Sequence, residues 1–294
     1  MTGLELRPRL ASEIVDAAFQ LYRRHFPDLV TLSAVAFAPY VLLQLVLTGG
    51  EASTEATFGV LAVMIALGWV FSSLADAAIV VGVSSSYLTG RVDAGRALRQ
   101  TLSRFSTVLL AVFAKWSIVG IGFMIAALIA SIGSVLVIGA SASAGLSPGA
   151  RLLGGGVLVV LIVLSVPIAT YFYARYFAVP ATVVLEGRGV AAALRRSAEL
   201  SHASKLRILA ALGLPTIGLV IMQFVVQAVL RLMPGPRIFG FLIEQAATIA
   251  IYPVLGVITT LLYYDARIRK EGFDIEVMAA ELGDSPSATV EPPA

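Results

Sequence analysis

Ser12-Glu13-Ile14-Val15-Asp16-Ala17-Ala18-Phe19-Gln20-Leu21-Tyr22-Arg23-Arg24-His25-Phe26-Pro27 runs directly into an apolar stretch from Asp28 to Leu47. Ile14, Ala18, Tyr22 and Phe26, with Val15 and Phe19 beside them, recur at the helical period and make one apolar stripe. Glu13, Asp16, Gln20, Arg23 and Arg24 take the other face. Ser12 is placed to cap this helix, acid falls in its first turn and base in its last, and Pro27 marks the change of direction into a membrane. Two roles are open to such a helix. It lies in the headgroup plane with its basic end toward anionic lipid, or it packs under the bundle as a collar.

The same arrangement, an arginine-bearing amphipathic segment followed by a long apolar run, starts again near Val92 and near Gly189. Phe19, Leu98 and Leu194 occupy equivalent places, each preceded by small residues. The expected unit is one interfacial helix plus a two-helix hairpin, repeated three times in the same orientation. Apolar residues make up 58% of the chain and charged residues 13%, and the mean hydropathy is +0.91. A water-soluble domain of that composition would aggregate, so the long runs are read as transmembrane helices. Six are expected, at about Asp28 to Leu47, Phe58 to Val83, Ser106 to Ala140, Leu152 to Leu185, Ile208 to Leu232 and Ile238 to Tyr263. The fold class expected is therefore all-α: a polytopic membrane protein of six spans, arranged as three hairpins that each follow an interfacial helix.

Charge placement orients the chain. Arg7, Arg9, Arg23 and Arg24, then Arg91, Arg96, Arg99 and Arg104, then Arg188, Arg195, Arg196, Lys205 and Arg207, then Arg267, Arg269 and Lys270 all fall on one side of the expected spans. The positive-inside rule puts that side, and both termini, in the cytoplasm. No cleavable signal peptide is expected, since the first 26 residues interleave charged and apolar residues. The expected organisation is a cytoplasmic amphipathic helix over 1–27, a transmembrane domain over 28–264 with further interfacial helices near 91–104 and 188–203, and a cytoplasmic segment over 265–294, disordered after about 282.

Ionisable residues at membrane depth cost about 2.5 to 3.5 kcal/mol on insertion scales unless compensated. Asp76 in the second span and Lys115 in the third fall at similar depth and are expected to pair, with Arg175 in the fourth span close enough to join them or to reach a lipid phosphate. This cluster is either an ion pair that locks helices together or a polar site for a substrate, proton or headgroup. Gln44, Gln223 and Gln227 are expected to link helices by hydrogen bonds. The candidate surface for lipid or a partner is Arg23, Arg24, Arg99, Arg104, Arg195, Arg196 and Arg207.

Catalytic chemistry finds little footing. The two histidines, His25 and His202, lie in separate interfacial segments with no metal-ligand spacing, and there is no cysteine. Gly154-Gly155-Gly156 lacks the Lys and Ser/Thr that follow in a phosphate loop. No catalytic residue, metal or cofactor is expected.

Three phrases resemble the glycerophosphoryl diester phosphodiesterase membrane domain family. The first is Ser12 to Phe19 with Leu21-Tyr22-Arg23-Arg24-His25-Phe26. The second runs from Arg175 through Pro180, Leu185-Glu186-Gly187, Ala193-Leu194-Arg195-Arg196-Ser197 and Leu200 to Arg207. The third is Tyr263-Tyr264-Asp265 with Arg267-Ile268-Arg269-Lys270-Glu271-Gly272-Phe273-Asp274. The middle third of the chain matches only in hydropathy. Where that family's name comes from a fused phosphodiesterase domain, catalysis belongs to the fused domain, and this sequence holds no such stretch. The resemblance implies a six-span protein of a bacterial cell membrane, not an enzyme, acting as an accessory or scaffold. Its expected partners are membrane lipids with anionic headgroups and a cytoplasmic or membrane protein, not nucleic acid. The competing expectation is a transporter or channel for a lipid-like or small anionic solute, through a polar site near Asp76, Lys115 and Arg175.

Overall fold

The computed structural model describes residues 9–48, 58–143, 170–202, 204–232 and 236–272. Among them all regular structure is helical: α1 (Ala11–Arg24), α2 (Phe26–Thr48), α3 (Phe58–Thr89), α4 (Ala94–Ser103), α5 (Phe105–Ser143), α6 (Val179–Val184), α7 (Val190–Ser201), α8 (Lys205–Leu232), α9 (Arg237–Ile251) and α10 (Pro253–Glu271). Residues 170–175 are also helical. Among the described residues five segments are long and apolar enough to cross a membrane: Phe26–Leu47, Val63–Ser86, Phe105–Gly122, Lys205–Leu230 and Ile238–Glu271. These mark a multi-pass membrane protein. The expected fourth span, Leu152 to Leu185, lies outside the described residues as far as residue 169, as does the expected disordered tail.

Local chemistry sets the helix ends, and several differ from expectation. Ser12 does not cap α1. The helix begins one residue earlier, and the Glu13 carboxylate accepts the Leu10 backbone N–H at 2.8 Å. The turn between α1 and α2 falls at His25, and Pro27 sits inside the first turn of α2, where its missing N–H has no intrahelical partner to lose. The buried face of α1 is Ile14, Ala17, Ala18 and Leu21, while Phe19 and Phe26 point outward. Helices α2 and α8 continue through Pro39 and Pro215. Pro253 instead separates α9 from α10 within one apolar segment, with Tyr252 as the break.

Three short amphipathic helices, α1, α4 and α7, each lead through one to three residues into a long apolar helix, α2, α5 and α8. Their contacts repeat in cyclic order. α4 packs on α3 and α2, α7 packs on α6 and α5, and α1 packs on α10 and α8. Each short-helix segment also bonds to the helix end on its other side. His25 Nε2 meets Ser86 Oγ of α3 at 2.9 Å, Gln100 Nε2 of α4 donates to the Val184 carbonyl of α6 at 2.9 Å, and Lys270 of α10 donates to the Glu199 carbonyl of α7. The short helices therefore alternate with the ends of α3, α6 and α10 in a closed collar. Those three ends are followed by the positive-φ glycines found among the described residues: Gly90 and Gly272 directly end α3 and α10 in the left-handed conformation, and Gly187 turns the chain three residues after α6.

Inside the collar, α3 is central and touches α2, α4, α5, α6 and α10. The contact with α10 is close because Gly256 faces Ile79. A Cβ there would stand 2.6 Å from Ile79 Cγ2 and 3.2 Å from Ile79 Cβ, and Ile79 is itself fully buried. Away from the collar the outer faces of α5 and α8 present Phe113, Met124, Leu128, Ile217, Ile221 and Phe224 to the surroundings, as lipid-facing helices do. Gly256→Ala should lower the melting temperature in detergent, the overpacking costing about 1 to 3 kcal/mol. The double variant Gly256→Ala with Ile79→Ala should lose less stability than the sum of the two single variants, because truncating Ile79 removes the clash. A Gly256→Ala protein as stable as the parent would show that α3 and α10 do not approach this closely.

Candidate functional site

The polar groups at membrane depth come from α3, α5 and the α9–α10 break. Asp76 Oδ1 accepts the Tyr252 hydroxyl at 2.8 Å, and the Ser72 carbonyl lies 3.2 Å from the same hydroxyl. The Phe37 ring meets Tyr252 edge to face at 4.8 Å. Lys115, only 7% exposed, holds its ammonium 4.8 Å from the Tyr173 ring centroid and 5.4 Å from that of Trp116. Asp76 and Lys115 feel each other's charge but do not touch, contrary to the direct pair expected. The tyrosine hydroxyl occupies the carboxylate, and two ring faces take the ammonium by cation–π attraction. Arg175 stands apart from both. Its guanidinium lies 5.8 Å from the centroid of the Tyr176 ring.

Sequence reasoning overlooked Glu244. It lies within the last apolar segment, and its Oε1 accepts Gln227 Nε2 at 2.9 Å, while Gln223 Nε2 is 3.5 Å from Thr248 Oγ1. The amides of α8 thus do link it to α9, and the partner was legible as a lone carboxylate in an apolar run. Gln44 lies on α2, and its interactions leave Oε1 without a hydrogen bond.

At the collar the charges form two knots. In the first, Glu186 pairs with Arg188 Nε at 2.5 Å and with Arg196 Nε at 3.0 Å, and it accepts the Tyr263 hydroxyl at 2.9 Å. Arg196 continues to Glu271, which Arg267 Nε also reaches at 3.1 Å. Burial alone would raise the Glu186 carboxyl, but the hydrogen bonds from Arg188, Tyr263 and Arg196 outweigh it and hold the group below its ordinary value. The hydrogen bond to Glu271 likewise outweighs burial and raises Arg196. In the second knot Asp265, 2% exposed, accepts the Arg9 backbone N–H at 2.8 Å, Arg207 Nη2 at 2.8 Å and Arg269 Nε at 3.2 Å. Arg269 returns a hydrogen bond to the Arg9 carbonyl at 2.7 Å.

These knots divide the seven arginines expected on one surface. Arg196 and Arg207 are largely buried in ion pairs, which removes them from any exposed patch. Arg23, Arg24, Arg99, Arg104 and Arg195 remain exposed, with no carboxylate in ion-pair range among the described residues. Arg23 and Arg24 end α1, and Arg99 lines an open groove of about 460 Å³ with Asp93, Arg96 and Gln100. Arg104 joins α4 to α5 and lays its guanidinium against Gly187, where a Cβ would stand 2.9 Å away. Among the described residues no group of three His, Asp or Glu side chains converges as a metal site.

No protein-family model, no curated protein and no solved structure matches this chain. What the geometry defines without them is a helical membrane protein with one heavily charged end, whose charges are partly locked inward and partly free.

The folded Glu186 carboxyl sits below its ordinary 4.5. Its pairing therefore contributes in full above that pH and is lost as pH falls through the lower folded value. Melting temperatures measured from pH 7 down to pH 3 should fall at the acid end, and Glu186→Gln should flatten that fall. Asp265→Asn, which leaves Arg207 and Arg269 without their buried carboxylate, should cost about 3 kcal/mol or more in the same assay. An unaltered melting temperature would remove Asp265 from the core of the collar.

Proposed function

We propose that this chain is a non-enzymatic accessory or scaffold protein of a bacterial cell membrane, whose charged collar engages anionic lipid headgroups and, through them, membrane-associated partners. In this reading the chain crosses the membrane six times as three hairpins, with both termini in the cytoplasm, in the manner of the glycerophosphoryl diester phosphodiesterase membrane domain. The observation that carries it is the division of the arginines. Arg23, Arg24, Arg99, Arg104 and Arg195 stand exposed on or beside the three short helices. Arg196 and Arg207 are held by carboxylates of the same chain. A cation needed only for folding is paired, and five are not. Asp76 and Lys115 fit this reading as helix locks, tying α3 to the α9–α10 break and α5 to the residues near Tyr173.

The test uses the full chain in nanodiscs of phosphatidylglycerol and phosphatidylcholine in equal parts. The parent should release with more phosphatidylglycerol bound than phosphatidylcholine. Neutralising all five exposed arginines to Gln should reduce that preference severalfold at an unchanged melting temperature, each cation near the surface being worth about 1 kcal/mol. Equal preference in both proteins would sink the proposal.

A further inference from the structure

The start of α8 has an open groove of about 490 Å³ lined by Ser204, Lys205, Leu206 and Arg207. Its charges are not those of the exposed set above. Lys205 Nζ lies 4.9 Å from the centroid of the Tyr171 ring, and Arg175 follows Tyr171 by one turn on the same face of the helical residues 170–175. One tyrosine therefore brings a second cation beside the groove. Neither Lys205 nor Arg175 has a carboxylate within ion-pair range among the described residues. Arg207 spends its Nη2 on Asp265, and its buried Nε has no hydrogen-bond partner.

Leu206 supplies an independent observation. It is 84% exposed, directly between two cationic neighbours, at the end of an apolar segment. In water that is a poor place for a leucine. At the boundary of a bilayer it is a favourable one, because the leucine meets acyl chains while Lys205 and Arg175 lift their charges to the phosphate layer and tyrosine sits at the same depth. The first backbone N–H groups of a helix of this length add a partial positive charge at the same point.

We infer that this groove binds the phosphate diester of an anionic glycerophospholipid, with Lys205 and Arg175 on the phosphate and Leu206 against the first acyl carbons. The inference rests on the collar being the lipid-facing end, and it adds a defined site to that general attraction. The shared chemistry is phosphate, so a free phosphate ion is the competing occupant.

The experiment compares the parent, Arg175→Gln with Lys205→Gln, Arg175→Lys with Lys205→Arg, Leu206→Ser and the five-arginine variant in the same nanodiscs. Bound lipids are counted by native mass spectrometry after release. The parent should keep phosphatidylglycerol over phosphatidylcholine. The double Gln variant should lose that preference by roughly tenfold or more, two cations being removed. The charge-conserving pair should retain it, and Leu206→Ser should weaken retention of both lipids. Lys205→Gln alone, at a half-buried side chain, serves if the double variant does not fold. Inorganic phosphate is titrated calorimetrically into delipidated parent. Phosphate binding that depends on Arg175 and Lys205, with phosphatidylglycerol retention unchanged, would overturn the lipid assignment. Unchanged retention in the double Gln variant would overturn the site, and a loss in the five-arginine variant would then leave the general collar reading standing. Loss in the double Gln variant with none in the five-arginine variant would support the site and defeat that reading.

Discussion

The carboxylate of Asp265 is where the two ends of the described chain meet. The Arg9 N–H that it accepts is 256 positions away in sequence, and Arg207 and Arg269 complete its shell. A buried carboxylate with so many donors is costly to expose and costly to leave half satisfied, so the contact is close to all-or-none. It fixes the entry of α1 against α10, and with it the last joint of the collar. Without that joint, α1, α4 and α7 would form an open arc. With it, each of the three short helices has a helix end on either side, and the long helices are set at fixed places around α3.

Membrane-spanning helices gain little from the hydrophobic effect against one another, since lipid is as apolar as their side chains. The collar supplies what the apolar segments lack. Its amphipathic helices bury Ile14, Ala17, Leu21, Ala97, Ala193 and Leu200 against the ends of the bundle, and its ion pairs join helices distant in sequence. Deeper in the bundle, cohesion comes from close approach at Gly256 and Ile79 and from isolated polar links such as Tyr252 to Asp76 and Gln227 to Glu244.

Much of this was legible in the sequence, and what was not has a common cause. The period of Ile14, Ala18 and Tyr22 located α1, and hydropathy located the five apolar segments, because both signals are local. The division between Arg195 and Arg196 was not read, although the two are neighbours. Ala193, Ser197 and Leu200 form the buried face of α7, so Arg196 falls beside that face and Arg195 away from it. The partners of Arg196, Glu186 and Glu271, lie in other segments, and no local pattern announces them. Asp76 and Lys115 show the same limit. Their depth was readable from position, but Tyr252 lies 176 positions from Asp76, and aromatic residues are too common in membrane spans to single it out.

The cyclic order of the collar has a consequence for the chain's connectivity. Each short helix holds the same relation to its neighbours, and the junction at Arg9 and Asp265 is made by hydrogen bonds and ion pairs where the other two are made by covalent links at Gly90 and Gly187. Opening the chain after Gly90 or Gly187 would therefore make that joint of the described collar non-covalent in its turn, held by packing and hydrogen bonds as the joint at Arg9 and Asp265 already is.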